Sequence, residues 1–271
     1  MSAPSIFSQV LAPAPRLLMR LALVPELLDR IKRAPQRMLE IGPGLGDLSI
    51  HLAARYPDAS GVLMDISEAG IAKLKSRTAA QARLEVRHGD FQTLPEDASY
   101  DLVAACEVFE HIEDDEAAFA AVHRLLKPGG YFLFSVPAFE SHFGPGDHYA
   151  GHFRRYERAP MLAQFARHGF QVDEVRCYGF PLTKLLWPFY KLYYGALLRR
   201  APMDMQASTK RSGTERSLVS RFAWLPVAKL MAPLFLCQHL VRRGNIGDGY
   251  LVLAHKPVTD GLPNGQRVGQ R

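Results

Sequence analysis

Cysteine is scarce. Cys106, Cys177 and Cys237 are the chain's three cysteines; they stand far apart and form no CxxC pair. That usage argues against a disulfide framework and against a structural zinc site, and it suits a reducing cytoplasm. The order of a signal peptide is also lacking. "MSAPSIFSQVLAPAPRLLMRLALVPELLDR" has no basic segment ahead of its apolar part, and prolines and arginines interrupt that part. Residues 1–34 are therefore expected to form helices ahead of the main fold rather than a cleaved leader. Clean apolar runs are missing as well. The stretches 180–198 and 222–241 are each about long enough to span a bilayer. The first, however, holds Lys184, Pro188 and Lys191, and the second holds Pro226, Lys229, Pro233, Gln238 and His239. A charge at mid-bilayer costs roughly 2.5–3.5 kcal/mol. Interfacial amphipathic helices, or a helical subdomain packed on the core, fit these runs better than membrane spans. There is no internal repeat, and the polar stretch 258–271 is expected to be disordered.

What the chain does have is bulk and an uneven charge. It has 271 residues, of which 48% are hydrophobic, enough for one α/β domain with an insertion. Its net charge is +6. Between Arg176 and Arg243, twelve Lys and Arg face only Asp204 and Glu215, so this stretch carries +10 and the remainder −4. The basic stretch is also rich in Leu, Phe, Trp and Tyr, a mixture that suits a membrane surface better than nucleic acid.

From residue 35 the pattern alternates. "RMLEIG", "ASGVLMDIS", "RLEVRHGD", "YDLVAACEV", "YFLFSVPA", "FQVDEVRCYG" and "DGYLVLAHKP" read as strands. Helical segments lie between most of them, including "LGDLSIHLAARYP", "EAGIAKLKSRTAAQA", "DDEAAFAAVHRLLKPGG" and "APMLAQFARHGF". Such alternation predicts a Rossmann-like α/β fold, a parallel sheet with helices on both faces. The expected organisation is an N-terminal helical segment 1–34, a core 35–179, an apolar basic helical insertion 180–246 and a last core strand within 247–257.

"LEIGPGLGDLS" follows the first strand and opens the first helix of the core. Gly42, Gly44 and Gly46 permit a tight turn and close approach of a ligand to the backbone. The spacing is GxGxG behind an acid, Glu40, rather than the GxGxxG of dinucleotide sites. A carboxylate at the strand end suits a cationic ligand better than a pyrophosphate. The second strand ends in Asp65, placed to accept ribose hydroxyls. The third ends in Asp90 and Phe91, and the fourth runs into "CEVFEHI". All of these ends share the sheet edge where open α/β folds bind ligands.

The segments "LEIGPGLG", "GVLMDIS", "HGDFQTLP", "YDLVAACEVFEHIEDD" and "LLKPGGYFLFSVP", in this order and spacing over about residues 36–137, resemble the class I S-adenosylmethionine-dependent methyltransferases that act on small molecules. The resemblance implies a seven-stranded sheet, six strands parallel and the last antiparallel, with S-adenosylmethionine as cofactor. It places the methionine portion at Glu40 and the Gly42–Gly46 loop, with Glu107 beside it. It places the ribose at Asp65 and the adenine against Ile66, Asp90 and Phe91. It also sends the 180–246 insertion out from the ligand edge, as a lid or a membrane platform.

"GDHYAGHFRRYER" (146–158) leaves that same edge after the fifth strand. Methyl transfer from a sulfonium is an in-line displacement, so the protein positions the acceptor and removes at most one proton. His111, His148 and His152 are the candidate bases, and His148 and His152 would share one face if helical. Arg154 and Arg155 can clamp a phosphate or carboxylate, although Arg155 equally suits a salt bridge to Glu107 or Glu110. Tyr149 and Tyr156 can orient a head group. No metal is expected. The expected activity is methyl transfer to an O, N or C atom of a hydrophobic or lipid-like small molecule, cytoplasmic or peripheral on the inner face of a membrane. The alternative is a soluble natural-product or quinone-type acceptor, with the insertion as lid or dimer contact. No "NPPY"-type tetrapeptide follows the fourth strand, so a nucleic-acid partner is not expected, and the sequence implies no oligomeric state.

Overall fold

A computed structural model describes residue 10 and residues 14–95, 99–200 and 232–258. Residues 222–231 of the second apolar run and 259–271 of the tail lie outside the described residues.

Seven strands form one sheet: β1 (Arg37–Ile41), β2 (Ser60–Asp65), β3 (Leu84–His88), β4 (Tyr100–Cys106), β5 (Leu126–Pro137), β6 (Gln171–Tyr178) and β7 (Gly249–His255). Their order is β3-β2-β1-β4-β5-β7-β6, and β7 runs antiparallel to both neighbours. Strands covered on both faces read as continuous apolar runs rather than alternations. "LVAA" in β4 and "YLVLA" in β7 are such runs, and both are buried. β3, at the sheet edge, has no fully buried residue.

On one face, α5 (Asp115–Leu125) and α7 (Arg158–Arg167) cover a cluster built on Phe109, Phe119, Phe132, Phe134 and Phe165. On the other, α1 (Pro15–Leu21) and α2 (Val24–Leu28) bury Leu17, Leu21, Leu23, Leu27 and Leu28 against Leu102, Leu133, Leu251 and Leu253. Two further helices, α3 (Asp47–Arg55) and α4 (Glu68–Thr78), follow β1 and β2. Ser67 caps α4 by accepting from the Gly70 amide, and Asp114 caps α5 by accepting from the Ala117 amide. Each cap satisfies an amide that the helix itself leaves free.

One boundary differs from the sequence reading. The helix expected to run to Pro128 stops at Leu125, and Leu126 already pairs with Tyr100 in β4. The "KPGG" turn becomes the irregular start of β5, because Gly129 takes a φ of +78° and its amide reaches the Lys256 carbonyl at 2.7 Å.

Of the insertion, the structure describes α8 (Leu182–Arg200) and α9 (Ala232–Val241). Leu182, Leu234 and Phe235 pack on Leu18 and Met19 of α1. The buried Gln238 amide donates to the Met19 carbonyl and accepts from the Gly179 amide, each at 2.8 Å. The outer surface of α8 leaves Leu185, Phe189 and Leu192 between 64% and 72% exposed. Among the described residues, no helix is long and apolar enough to cross a membrane.

Candidate active site

The carboxyl ends of the parallel strands divide into two halves. On the first, the loop after β1 folds back through Gly42, Gly44 and Gly46, all with φ between 56° and 76°. The Gly42 amide donates to the Met64 carbonyl at 2.9 Å. A side chain at Gly42 would meet Val108 Cγ2 at 2.6 Å, so both space and backbone demand glycine there. Arg77 of α4 ties the loop down, donating to the Leu45 carbonyl and pairing with Asp47 at 2.6 Å. Glu40 is buried under this loop, and its carboxylate accepts from Ser49 Oγ at 2.5 Å. Burial raises its pKa to about 8, against the opposing pull of Ser49 and Arg20. Asp65 accepts from the Ser67 amide at 2.8 Å. Burial raises its pKa as well, while the amides of Ser67, Gly44 and Ile66 draw it down.

Ile66 stands 49% exposed beside Asp65. Asp90 is exposed at the end of β3, where its carboxylate accepts from the Gln92 amide at 2.9 Å. Phe91 departs from the sequence reading: it is buried in the phenylalanine cluster, 6.4 Å from Phe109. Its ring is 4% exposed and is held by the core.

The second half is assembled from distant parts of the chain. Glu107 ends β4 with a φ of +59°, uncommon for a residue with a side chain. Its Oε1 accepts from Tyr178 at 2.5 Å and from Ser135 at 3.2 Å, and its Oε2 meets Arg16 at 3.0 Å. Burial works against its charge, but Arg16, Arg20 and the Tyr178 hydroxyl outweigh that and hold the carboxyl below the usual range. Glu107 is therefore already neutralised by α1 at the position where the resemblance sets the methionine portion.

The 146–158 stretch is not a plain loop. Residues Pro145–Ala150 form a short helix, α6, which Gly151 ends in the left-handed conformation. The turn separates the two histidines expected on one face. His148 stays exposed, edge-on to Phe143, while His152 turns inward. Arg155 is structural: Nε donates to Asp147 at 2.8 Å and Nη1 to Asp248 at 2.9 Å, rather than to Glu107 or Glu110. Tyr156 is likewise a core residue whose hydroxyl donates to Asp115 at 2.7 Å. Arg154 meets Asp115 at 2.5 Å and donates to the Glu113 carbonyl. Tyr149 lies 5.1 Å from Tyr194, which joins α6 to α8. His111 meets His152 edge-on at 4.7 Å, and burial together with His152 lowers its pKa to about 4. A cavity of about 270 Å³ is lined by His142, Thr183, Lys184, Trp187, Gly247 and Asp248, the last of which also accepts from Arg155.

A model described as a methyltransferase domain matches residues 12–175, more than half of the chain. The chain belongs to this methyltransferase family. A malonyl-[acyl-carrier protein] O-methyltransferase of Methylovorus sp. is 35% identical over 118 residues, 41% of this chain and 40% of the relative. A ubiquinone biosynthesis O-methyltransferase of Acinetobacter baylyi is 31% identical over 105 residues, 38% of this chain and 44% of the relative. The chain thus spans about half or less of the length of the curated relatives it matches. Among solved structures, a geranyl diphosphate methyltransferase in complex with SAM superposes with a TM-score of 0.54 at 15% identity, over 88% of this chain and 86% of that one. At that identity the likeness is one of fold, and it agrees with the seven-stranded order of this methyltransferase.

The sequence reading missed Arg16, Arg20, Tyr178 and Asp248, and it took Glu110 only as a partner for Arg155. Arg16 and Arg20 carried a usable signal. They stand four apart in "RLLMR", which puts both on one side of an otherwise apolar helix. The others had none, because their partners lie far along the chain.

Proposed function

We propose that this methyltransferase transfers the methyl group of S-adenosylmethionine to an O, N or C atom of a hydrophobic small molecule. The observation that carries the reading is the composition of the first half of the edge. Two carboxylates, Glu40 and Asp65, flank a glycine loop that lets a ligand approach the backbone, and Arg77, the arginine that reaches this loop, is engaged by Asp47 and the Leu45 carbonyl. Such a donor set suits a cationic amino-acid moiety and a ribose. Bound there, S-adenosylmethionine supplies a methyl already activated on a sulfonium.

The chain's own residues then have two tasks. Glu40, the Gly42–Gly46 loop, Asp65, Ile66 and Asp90 hold and orient the donor, with Glu107 closing the methionine end. His111, His152, Tyr149 and the 270 Å³ cavity beside Trp187 and Lys184 hold the acceptor. The exposed apolar surface of α8, which leans on α6 through Tyr149 and Tyr194, supports a greasy acceptor reached from a membrane surface. A soluble quinone-type acceptor is the second reading. The likeness to ubiquinone biosynthesis O-methyltransferases favours it, and α8 then serves as a lid.

The test is transfer of labelled methyl from S-adenosylmethionine into a host-cell extract separated into organic and aqueous phases. Label in the organic phase supports the hydrophobic acceptor. Label confined to the aqueous phase rejects it, and no transfer with any fraction rejects the activity.

A further inference from the structure

Glu110 is fully buried, yet neither of its carboxylate oxygens accepts a hydrogen bond from any other described residue. An orphaned buried carboxylate is rare, because removing it from water must be offset by a partner. The neighbours do not supply one. Glu107 is occupied by Arg16, Tyr178 and Ser135. Asp147 is occupied by His152, Arg155 and the Gly144 amide. What faces Glu110 is imidazole: His152 Nε2 lies 3.9 Å from Oε1, and His111 stands edge-on to His152. One atom from each of Glu110, His111 and His152 can be chosen so that all three lie within 4.8 Å of one another.

The tautomers follow from the other ring nitrogens. His111 Nδ1 lies 3.3 Å from the Gly151 carbonyl, which can only accept, so this nitrogen carries the proton. His152 Nδ1 lies 2.8 Å from an Asp147 carboxylate that also takes the Arg155 guanidinium, so it too carries its proton. Both Nε2 atoms are left as lone-pair donors. A carboxylate or carbonyl behind each imidazole is the arrangement that orients metal-ligating histidines. The two halves of the cluster are also fastened together, since the Phe153 amide donates to the Glu110 carbonyl at 2.7 Å.

We infer that Glu110, His111 and His152 form a binding site for a divalent transition-metal ion, with Asp147 and the Gly151 carbonyl as its outer supports. Two imidazoles and a carboxylate suit zinc, iron, cobalt or manganese, and three protein ligands leave positions open for an oxygen donor. Bonds of about 2.1 Å would bring ligand atoms to roughly 3–4 Å of one another, against the 4.8 Å within which they now lie. His111 is only partly buried, which gives the ion a way in. Binding of the ion stands without the proposed reaction. Its use there rests on that reading: an acceptor hydroxyl bound to the ion would lose its proton more readily.

The test uses the full chain, stripped with a chelator and titrated with cobalt(II) alone. The expected result is one cobalt per chain, with visible absorption that zinc displaces. Glu110→Gln is expected to weaken binding at least tenfold while S-adenosylhomocysteine still binds, which reports an intact fold. Should Glu110→Gln fail to fold, His111→Gln takes its place with the same expectation. No stoichiometric cobalt site in the parent chain, or equal binding by the folded variant, overturns the inference. The second result would assign the cobalt to other histidines. Cobalt binding without any methyl transfer would leave the site standing and reject the reaction.

Discussion

The two halves of the ligand edge are built in different ways. The half proposed to hold the donor comes from consecutive strand ends: Glu40 in β1 with the glycine loop after it, Asp65 at the end of β2 and Asp90 after β3. Each piece is local, and each is fixed by backbone geometry that a short motif encodes. The half proposed to hold the acceptor is a relay between elements. Asp248 before β7 meets Arg155; Arg155 meets Asp147 in α6; Asp147 meets His152; and His152 faces Glu110 after β4. Arg16 of α1 reaches both Glu107 and Asp248. The donor half is therefore specified by what lies next in the chain, and the acceptor half by what folds against it.

This contrast can be broken from either side. Asp65→Ala and Gly42→Val should hit the donor half hardest. Each is expected to weaken S-adenosylhomocysteine binding at least 100-fold, about 2.7 kcal/mol, in calorimetry. Gly42→Val does so by forcing a branched side chain onto a positive φ against Val108. Unchanged affinity in both variants would remove the donor assignment.

Arg155→Met should act on the other half. It leaves Asp147 and Asp248 as buried carboxylates short of a partner, which costs about 3–5 kcal/mol and should lower Tm by roughly 10 °C. Binding of S-adenosylhomocysteine to the folded fraction should change less than about twofold. A large loss of cofactor affinity would mean that the halves are one unit.

The pH dependence sharpens the comparison further. Glu40 holds its proton to about pH 8 in the ligand-free chain. A raised carboxyl pKa stabilises the fold fully below the unfolded value, and that contribution declines as pH rises through the folded value. A cationic ligand prefers the ionised carboxylate, so its binding should release this proton. Affinity should rise about fivefold between pH 7 and 8 and level off above, and Glu40→Gln should flatten the profile. The smallest effect is expected from Tyr194→Ala, which loses a ring pair worth about 0.5–1.5 kcal/mol. It should loosen α8 on α6, read as faster amide exchange in Tyr149 and its neighbours.

The same contrast explains what could be read from the chain. The count of seven strands and the antiparallel β7 came with the family resemblance, whereas the strand order is known from the structure. The seven strands themselves were legible because buried strands are apolar on both faces. Glu40, Asp65 and the glycines were legible because their roles depend on neighbours within a few residues. Arg155, Tyr156 and Phe91 were misread for the opposite reason. A cationic or aromatic residue in a motif-rich stretch looks free until its partner is known. Those partners, Asp147 and Asp248, Asp115, and Phe109, are set by tertiary packing. Glu110 was read only as a partner for Arg155, because nothing in "VFEHI" says that its carboxylate is sealed from water.

The insertion has one more consequence. Tyr178 and Gly249 are paired across β6 and β7, so everything from residue 179 to 248 leaves and re-enters the sheet at a single rung. To the sheet this whole excursion is a hairpin loop, and each doubling of such a loop costs only about 0.6 kcal/mol of closure entropy. A change in the excursion's length therefore costs the sheet little, provided that the rung stays in register and Gln238 keeps its tie to the Met19 carbonyl of α1.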